Sequence, residues 1–471
     1  MKTGDEIRAV SPRHEDFLSD ESRIRGRADT VSFPGNEKEV QQIITSRVKK
    51  NIPITPQGSR TGISGGCVPR GGHILNLSFM NRIMGEPKKD GSGGAIRVQP
   101  GVTLSTLAQA AARYGMFWPP DPTETAASIG GIFANNAQGP AACFYGETHR
   151  YIRSTRVLDL NGESVRLKGG DIRSVTGSEG MLGPVVELEL RLFPMLSEKW
   201  GVVFFFPSDD PALAFSGRMA GLARHQNQGQ DVAAPEAGVI SIEFLNRDAL
   251  DGIKQYRRLS GGIEGLPAVA EQASAAVCLE IQGRAFRGVE RLLEKASETA
   301  VRLGSDPDQT WGFSNDPEIR KFKRFRHAAM EAVTALMVGQ IPAGSFSLAG
   351  SEKKAADLLK HFKAIAADRG IKPVVIGSPG REIWHFFLWG RKIDTNGALP
   401  DLLKETAAAV PGLKEHLILP YGIGKRRLMI PDAPLVKKEI ERIGRLKAGT
   451  DPGGLWNPGN MAQPEMSGKD T

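Results

Sequence analysis

Apolar residues recur at helical spacing over 36–49, where Val40, Ile43, Ile44 and Val48 fall on one face. The run NIPIT that follows reads as a short strand, and it ends in PQGSRTGISGG, a loop almost without bulky side chains. HILNLS then alternates as a strand, and AIRVQPG predicts another strand that turns into a helix over TLSTLAQAAARYG. The next segment, FWPPDPTETAASIGGIFANNAQGP, holds too many glycines, prolines and asparagines for regular structure, while its aromatic and apolar residues argue against disorder. A long ordered loop is the expectation there. From 152 to 193 the pattern is mainly strand: IRSTRVLDL and ESVRL joined by an Asn-Gly turn, then the clean alternation of PVVELELRLF.

The style changes near Pro194. Between about 197 and 415 the strands VISIEFL, AAVCLEIQG, GSFSLAG, KPVVIG and IWHFFLWG are interleaved with the helices FRGVERLLEKASETAVRLG and SEKKAADLLKHFKAIAADRG. Strands paired with covering helices predict a second α+β domain. A basic helix begins at 434 and stops in the turn-rich TDPGGLWNPGN. The expected division is therefore 1–196, 197–433 and 434–471.

Composition adds three points. The 55 glycines gather into clusters instead of repeats, which favours sites built from backbone. The formal charge of +8 favours anionic partners, yet the only dense basic run, RKFKRFRH at 320–327, is too short for a nucleic-acid surface and suits a solvated helix face. Cys67, Cys143 and Cys278 lie far apart with no metal-binding spacing, which fits a reducing cytoplasm. No stretch approaches the roughly 18 apolar residues of a membrane span, so any membrane contact is expected to be peripheral.

A loop such as QGSRTGISGG can turn successive backbone N–H groups inward to bind phosphate oxygens, and the chain has four glycine-rich segments, at 58–66, 128–139, 177–183 and 422–424. None is a Walker A loop, and none follows the strand-to-helix GxGxxG rule. A different nucleotide fold is required.

The ordered succession PQGSRTGISGG, VQPGVTLSTLAQAAARYGMFWPPDP, SIGGIFANNAQGP, YGETHRYIRSTRVLDLNGE, GSEGMLG and DPGGLWNPGN resembles the FAD-linked oxidases of the vanillyl-alcohol oxidase superfamily. Its nearest branch is that of the glycolate oxidase flavin subunits, D-lactate dehydrogenases and D-2-hydroxyglutarate dehydrogenases. The resemblance implies an α+β protein with a two-subdomain FAD-binding domain of PCMH type, a cap domain whose antiparallel sheet is covered by helices, and a tail returning to the FAD domain. It further implies that Gly58, Ser59, Arg60, Thr61 and Gly62 cradle the pyrophosphate with Ser64 beside them, and that Pro56 and Gln57 also bind the cofactor. Pro119, Ser128, Gly131 and Asn135 would line the flavin and its ribityl chain, Val185 the adenine end, and Asn457 the isoalloxazine. With no histidine in the 56–66 loop, FAD is expected to be held non-covalently.

Relatives place metal ligands and a base in GHxGDGNxH and EHGxG segments. Here these read GSPGREIWH and PYGIG, so Ser378, Pro420 and Tyr421 stand where two histidines and a glutamate are expected, and only His385 remains. One ligand in three cannot hold zinc. The metal-free candidates are Tyr421 and His385 for proton transfer and Arg326 for a substrate carboxylate, with Lys425 and Arg426 adding charge beside Tyr421. The expected activity is oxidation of a small anionic alcohol, a 2-hydroxy acid, with electrons passed to a protein partner or quinone. Two alternatives stay open: a flavoenzyme like alkyl-dihydroxyacetone-phosphate synthase, and a weakly catalytic flavin-binding subunit of a redox complex. Elemental analysis of the purified protein is expected to find no stoichiometric zinc or manganese, and finding either would overturn the metal-free assignment.

Overall fold

The helix Glu37–Val48 starts where its sequence signals say. Asn36 Oδ1 accepts from the Glu39 amide (3.1 Å), and the Glu39 carboxylate accepts from the Gly35 amide (2.7 Å). Its apolar face then buries Val40, Ile43 and Ile44 against Ile54, Leu75, Leu158 and Trp456, with Val48 partly buried at the edge of the same cluster. The computed structural model describes residues 4–91, 93–229, 235–260, 266–337, 344–369, 371–390, 410, 412–418, 423–425 and 433–461. They fall into two units, one of Met1–Gly139, Glu147–Met195 and Leu419–Thr471, the other of Pro140–Gly146 and Leu196–Ile418.

The first unit holds two sheets. Strands β1 (Gly4–Ala9), β2 (Thr30–Phe33), β3 (Ile54–Gln57) and β4 (His73–Asn76) lie in the order β1-β2-β4-β3, with β2, β4 and β3 parallel. The chain near the C-terminus runs along β3: the Ile54 amide donates to the Leu455 carbonyl (2.8 Å) and the Asn457 amide to the Ile54 carbonyl (2.8 Å). The second sheet is antiparallel, built from β5 (Lys88–Asp90), β6 (Gly93–Val98), β8 (Ile152–Leu158), β9 (Ser164–Lys168) and β10 (Val185–Pro194) in the order β5-β6-β10-β8-β9, with β7 (Met116–Phe117) also on β10.

One expectation is corrected. The segment foreseen as a long loop contains the helix Ile129–Ala134. Two glycines in six residues hid it, since each costs a helix about 1 kcal/mol relative to alanine. The structure offsets that cost by burying Ile129, Ile132 and Phe133 and by capping with Ser128, whose Oγ accepts from the Gly131 amide (3.3 Å). Gly130 is required for contact, because a Cβ there would lie 3.0 Å from the Pro100 carbonyl oxygen.

The second unit is an eight-stranded antiparallel sheet, in the order β14-β11-β13-β12-β16-β17-β15-β18. Its strands are β11 (Glu198–Phe206), β12 (Ala237–Asn246), β13 (Ala275–Gly283), β14 (Trp311–Phe313), β15 (Gly344–Ala349), β16 (Ile371–Ser378), β17 (Ile383–Gly390) and β18 (Leu417–Ile418). Alternation sends successive residues to opposite faces. Val203, Phe205, Leu245 and Phe387 meet the helices Arg247–Ser260 and Asp316–Met337, whereas Phe204, Phe206 and Phe386 meet the helices Asp209–Gly229 and Glu352–Arg369. The expected α+β class, with an antiparallel sheet covered by helices, is what the chain adopts. Among the described residues no helix is long and apolar enough to cross a membrane.

His73, fully buried on β4, hydrogen-bonds through both ring nitrogens, to Thr30 Oγ1 (2.9 Å) and Ser32 Oγ (2.8 Å). Burial, with Arg47 adding to it, lowers its pKa to about 3, so it is neutral in the folded chain. The unfolded histidine takes a proton near pH 6.5, so the folded state loses relative stability as pH falls below that value, by about 1.4 kcal/mol per unit per histidine. Buried His385, also lowered to about 3, and His327, lowered to about 4, add to the same slope. Urea midpoints are therefore expected to be flat between about pH 7 and 8 and to fall between about pH 6.5 and 5. His73→Gln should lessen that slope by one proton, and an unchanged slope would contradict the assignment.

Candidate functional site: a glycine-walled cavity in the first unit

Residues 58–66 leave β3 and are held open from behind. Gln57 Nε2 donates to the carbonyls of Phe17 (2.8 Å) and Cys67 (2.9 Å), spanning the base of the loop. Ser128 Oγ accepts from the Ser59 amide (3.4 Å) as well as from Gly131, and a Cβ on Gly58 would lie 2.2 Å from that oxygen. From Arg60 to Gly66 no backbone N–H finds a protein acceptor among the described residues. Residues 64–66 are buried and 60–63 open onto solvent and a cavity, so such a run offers a concave set of donors that an anionic ligand can fill.

Arg60 sits within this run at φ 62°, a left-handed conformation that costs a non-glycine residue about 1 kcal/mol or more. Its guanidinium carbon lies 4.2 Å over the Phe17 ring, and Nη1 is enclosed without a hydrogen-bond partner among the described residues. A cation is thereby fixed on the wall of a cavity of about 310 Å³. Residues 56–62, Ser128, Gly131, Asn135 and Val185 line that cavity, so the structure brings these expected positions together.

Three others are placed differently. Pro119 and Ser64 are buried and do not line it, and the Ser64 carbonyl accepts from the Lys425 amide (3.0 Å). Asn457, expected at the isoalloxazine, spends its side chain on protein: Nδ2 donates to the carbonyls of Gly66 (2.7 Å) and Glu179 (2.7 Å), and Oδ1 accepts from Lys425 Nζ (3.1 Å). It knits three segments together behind the wall.

Sequence reasoning passed over Glu179. Buried at φ 49°, its carboxylate accepts from the amides of Ile423 (2.6 Å) and Gly424 (2.9 Å) and from Asn460 Nδ2 (3.0 Å), and it lines the cavity beside Gly66. Burial raises its pKa, against the donors from Asn460, Ile423 and Gly424 and the charge of Lys425. An acidic residue inside GSEG was the available signal. Asp20 and Cys67 also reach the wall, 3.7 Å apart (Oδ2 to Sγ); burial, then the Asp20 carboxylate, holds the thiol protonated well above its usual range.

The family described as FAD binding domain matches residues 28–168. The chain is 26% identical to a D-lactate dehydrogenase of Anaerostipes hadrus, over 97% of this chain and 94% of that protein. It is 28% identical to glycolate oxidase subunit GlcD of Bacillus subtilis (strain 168), over 92% of this chain and 88% of the relative. Residues 28–168 thus carry an FAD-binding domain, and along most of its length the chain is similar to FAD-linked oxidases of the D-lactate dehydrogenase and glycolate oxidase branch; it is an FAD-dependent oxidoreductase. Two crystal forms of alkyldihydroxyacetonephosphate synthase share the fold, at 15% identity, with TM-scores of 0.66 (93% of this chain, 78% of that one) and 0.68 (96% and 82%).

The cavity of this oxidoreductase suits its cofactor. The acceptor-free amides of 60–63 and Gly66, all on the cavity wall, and the enclosed Arg60 Nη1 are complementary to phosphate oxygens. The candidate catalytic residues fare differently. Arg326, expected as a carboxylate clamp, is buried in the second unit and already engaged: Nε lies 2.7 Å from Glu243, and Nη1 3.1 Å from Ser241 Oγ and 3.4 Å from Glu280. Burial pulls Glu280 upward, but Lys323 and Arg326 outweigh it and hold its carboxyl below the usual range. His385 lies on the same face of the sheet, pairs with Ser347 Oγ (2.9 Å) and is kept neutral by burial. Tyr421, Pro420 and Arg426 lie outside the described residues.

Arg60→Gly is expected to relieve the left-handed strain while removing the cation from the wall. Titration of flavin-free protein by flavin fluorescence should show FAD binding weakened about tenfold or more; unchanged affinity would remove Arg60 from the site.

Proposed function

We propose that this flavoprotein oxidises a small 2-hydroxy acid of the D-lactate or glycolate type to the 2-oxo acid without a metal, and delivers the electrons to a quinone or protein acceptor. The observation that carries the reading is similarity along more than nine-tenths of the chain to relatives named for these substrates. FAD, when bound, supplies the acceptor for the hydride leaving the alcohol carbon.

The protein's part begins with binding. The amides of 60–63 and Gly66, with Arg60, take the diphosphate, and Ser128 fixes the loop against the helix Ile129–Ala134. Glu179 and Asn457 hold the returning segment Ile423–Lys425 onto the wall, two residues beyond Tyr421. We assign to Tyr421 acceptance of the hydroxyl proton, at the position where relatives carry a histidine. Arg326, neutralised by two carboxylates, serves in this reading to hold the sheet face that carries His385 rather than to clamp substrate. An electron-accepting partner accords with the relatives of Bacillus subtilis and Escherichia coli being named as subunits.

The purified protein is expected to be yellow. Anaerobic mixing with D-lactate, glycolate and D-2-hydroxyglutarate should bleach the flavin with at least one of them, and Tyr421→Phe should slow that bleaching about a hundredfold or more while FAD stays bound. Flavin that dithionite reduces but no hydroxy acid bleaches would refute the assignment.

A further inference from the structure

Lys425 is a buried ammonium with no anion in ion-pair contact among the described residues. The residue is 6% exposed, and its Nζ donates to two neutral oxygens, Asn457 Oδ1 at 3.1 Å and the Gly65 carbonyl at 3.5 Å. No carboxylate lies within ion-pair distance of it among the described residues. The charged or titratable groups that face it from further off are Cys67, Glu179, Arg70 and Asp20. Glu179 is occupied by Ile423, Gly424 and Asn460, and Asp20 by the Ser22 amide (2.9 Å) and the Cys67 thiol. Buried charges in proteins are as a rule paired, because an isolated one costs several kcal/mol or changes its protonation.

The fold nevertheless holds the lysine in place. Gly424 takes φ 53°, and a Cβ there would lie 2.1 Å from the Ser64 carbonyl oxygen; the Lys425 amide donates to that same oxygen. Glu179 clamps the two preceding amides. The ammonium is thereby set directly behind Gly65, while the neighbouring Gly66, Cys67, Asp20 and Glu179 form the cavity wall in front of it. A cation anchored from four sides, one layer from a cavity whose own amides lack acceptors, is placed for an anion that arrives from outside the chain.

We propose that Lys425 is the built-in counter-cation for the negative charge a flavin dinucleotide brings into this cavity, carried on its diphosphate or on its reduced ring. The inference rests on the FAD reading of the cavity. Burial lowers the lysine pKa to about 8, and an anion in the cavity would hold the proton on. FAD affinity should therefore decline as pH rises through this region, and the decline should vanish when the amine is removed.

The test is Lys425→Met, with Lys425→Arg as control, in the full chain stripped of flavin and retitrated with FAD. Lys425→Met is expected to leave the melting temperature of the flavin-free protein unchanged or higher, since it removes a buried lone charge. It should also lose the alkaline decline in affinity. If the charge serves the diphosphate, oxidised FAD binds about tenfold weaker and the midpoint potential is unmoved. If it serves the ring, the two-electron potential drops by about 30 mV for each tenfold loss of reduced over oxidised flavin. Lys425→Arg should retain most of either effect. Affinity, potential and pH profile all unchanged in Lys425→Met would overturn the proposal. So would a large fall in melting temperature that Lys425→Arg does not restore, because that marks a packing role. Failure of the unmodified protein to take up FAD would instead remove the cofactor reading itself.

Discussion

A run of backbone amides from Arg60 to Gly66 without protein acceptors among the described residues is the constraint around which the first unit is organised. Left alone, such a loop would fold onto itself or be hydrated, and neither would keep its donors aimed at one cavity. Side chains behind the loop prevent the collapse: Gln57 across its base, Ser128 at its start, Asn457 at its end. Glycine is required where these supports press closest, at Gly58 against Ser128 and at Gly66, where a Cβ would lie 2.8 Å from Glu179 Oε2.

Those supports come from the whole length of the unit. Glu179 joins the segment around 423 to the segment around 460, and Asn457 joins Gly66 to Glu179 and Lys425. Each hydrogen bond contributes only about 1 kcal/mol net, but all are buried, so losing one partner leaves another group unsatisfied at greater cost. The wall of the cavity is therefore cooperative, and its charges, Arg60 in front and Lys425 behind, are placed by that network.

In the second unit the same physics gives Arg326 another role. A guanidinium buried on a sheet face is stable only with partners, and Glu243, Glu280 and Ser241 supply them. The resemblance to the FAD-linked oxidases suggested a clamp for substrate there. Its neighbours on β12 and β13 made it part of the packing between helix and sheet.

Periodicity and spacing in the sequence determined the α+β character, most strands, the helix over 37–48 with its buried face, and the open glycine loop that follows β3. Each depends on residues within a few positions of one another, where local sterics and burial act directly. The helix Ile129–Ala134 escaped because its stability comes from a cap and from core contacts that outweigh two glycines. Tertiary structure alone decided that Asn457 would brace the wall from behind, that Glu179 would grip residues 423 and 424, and that Lys425 would be buried with no carboxylate in contact among the described residues. These outcomes depend on which distant segments share one small, dry volume. Burial and charge there are set by neighbours hundreds of residues away, and no local pattern encodes them.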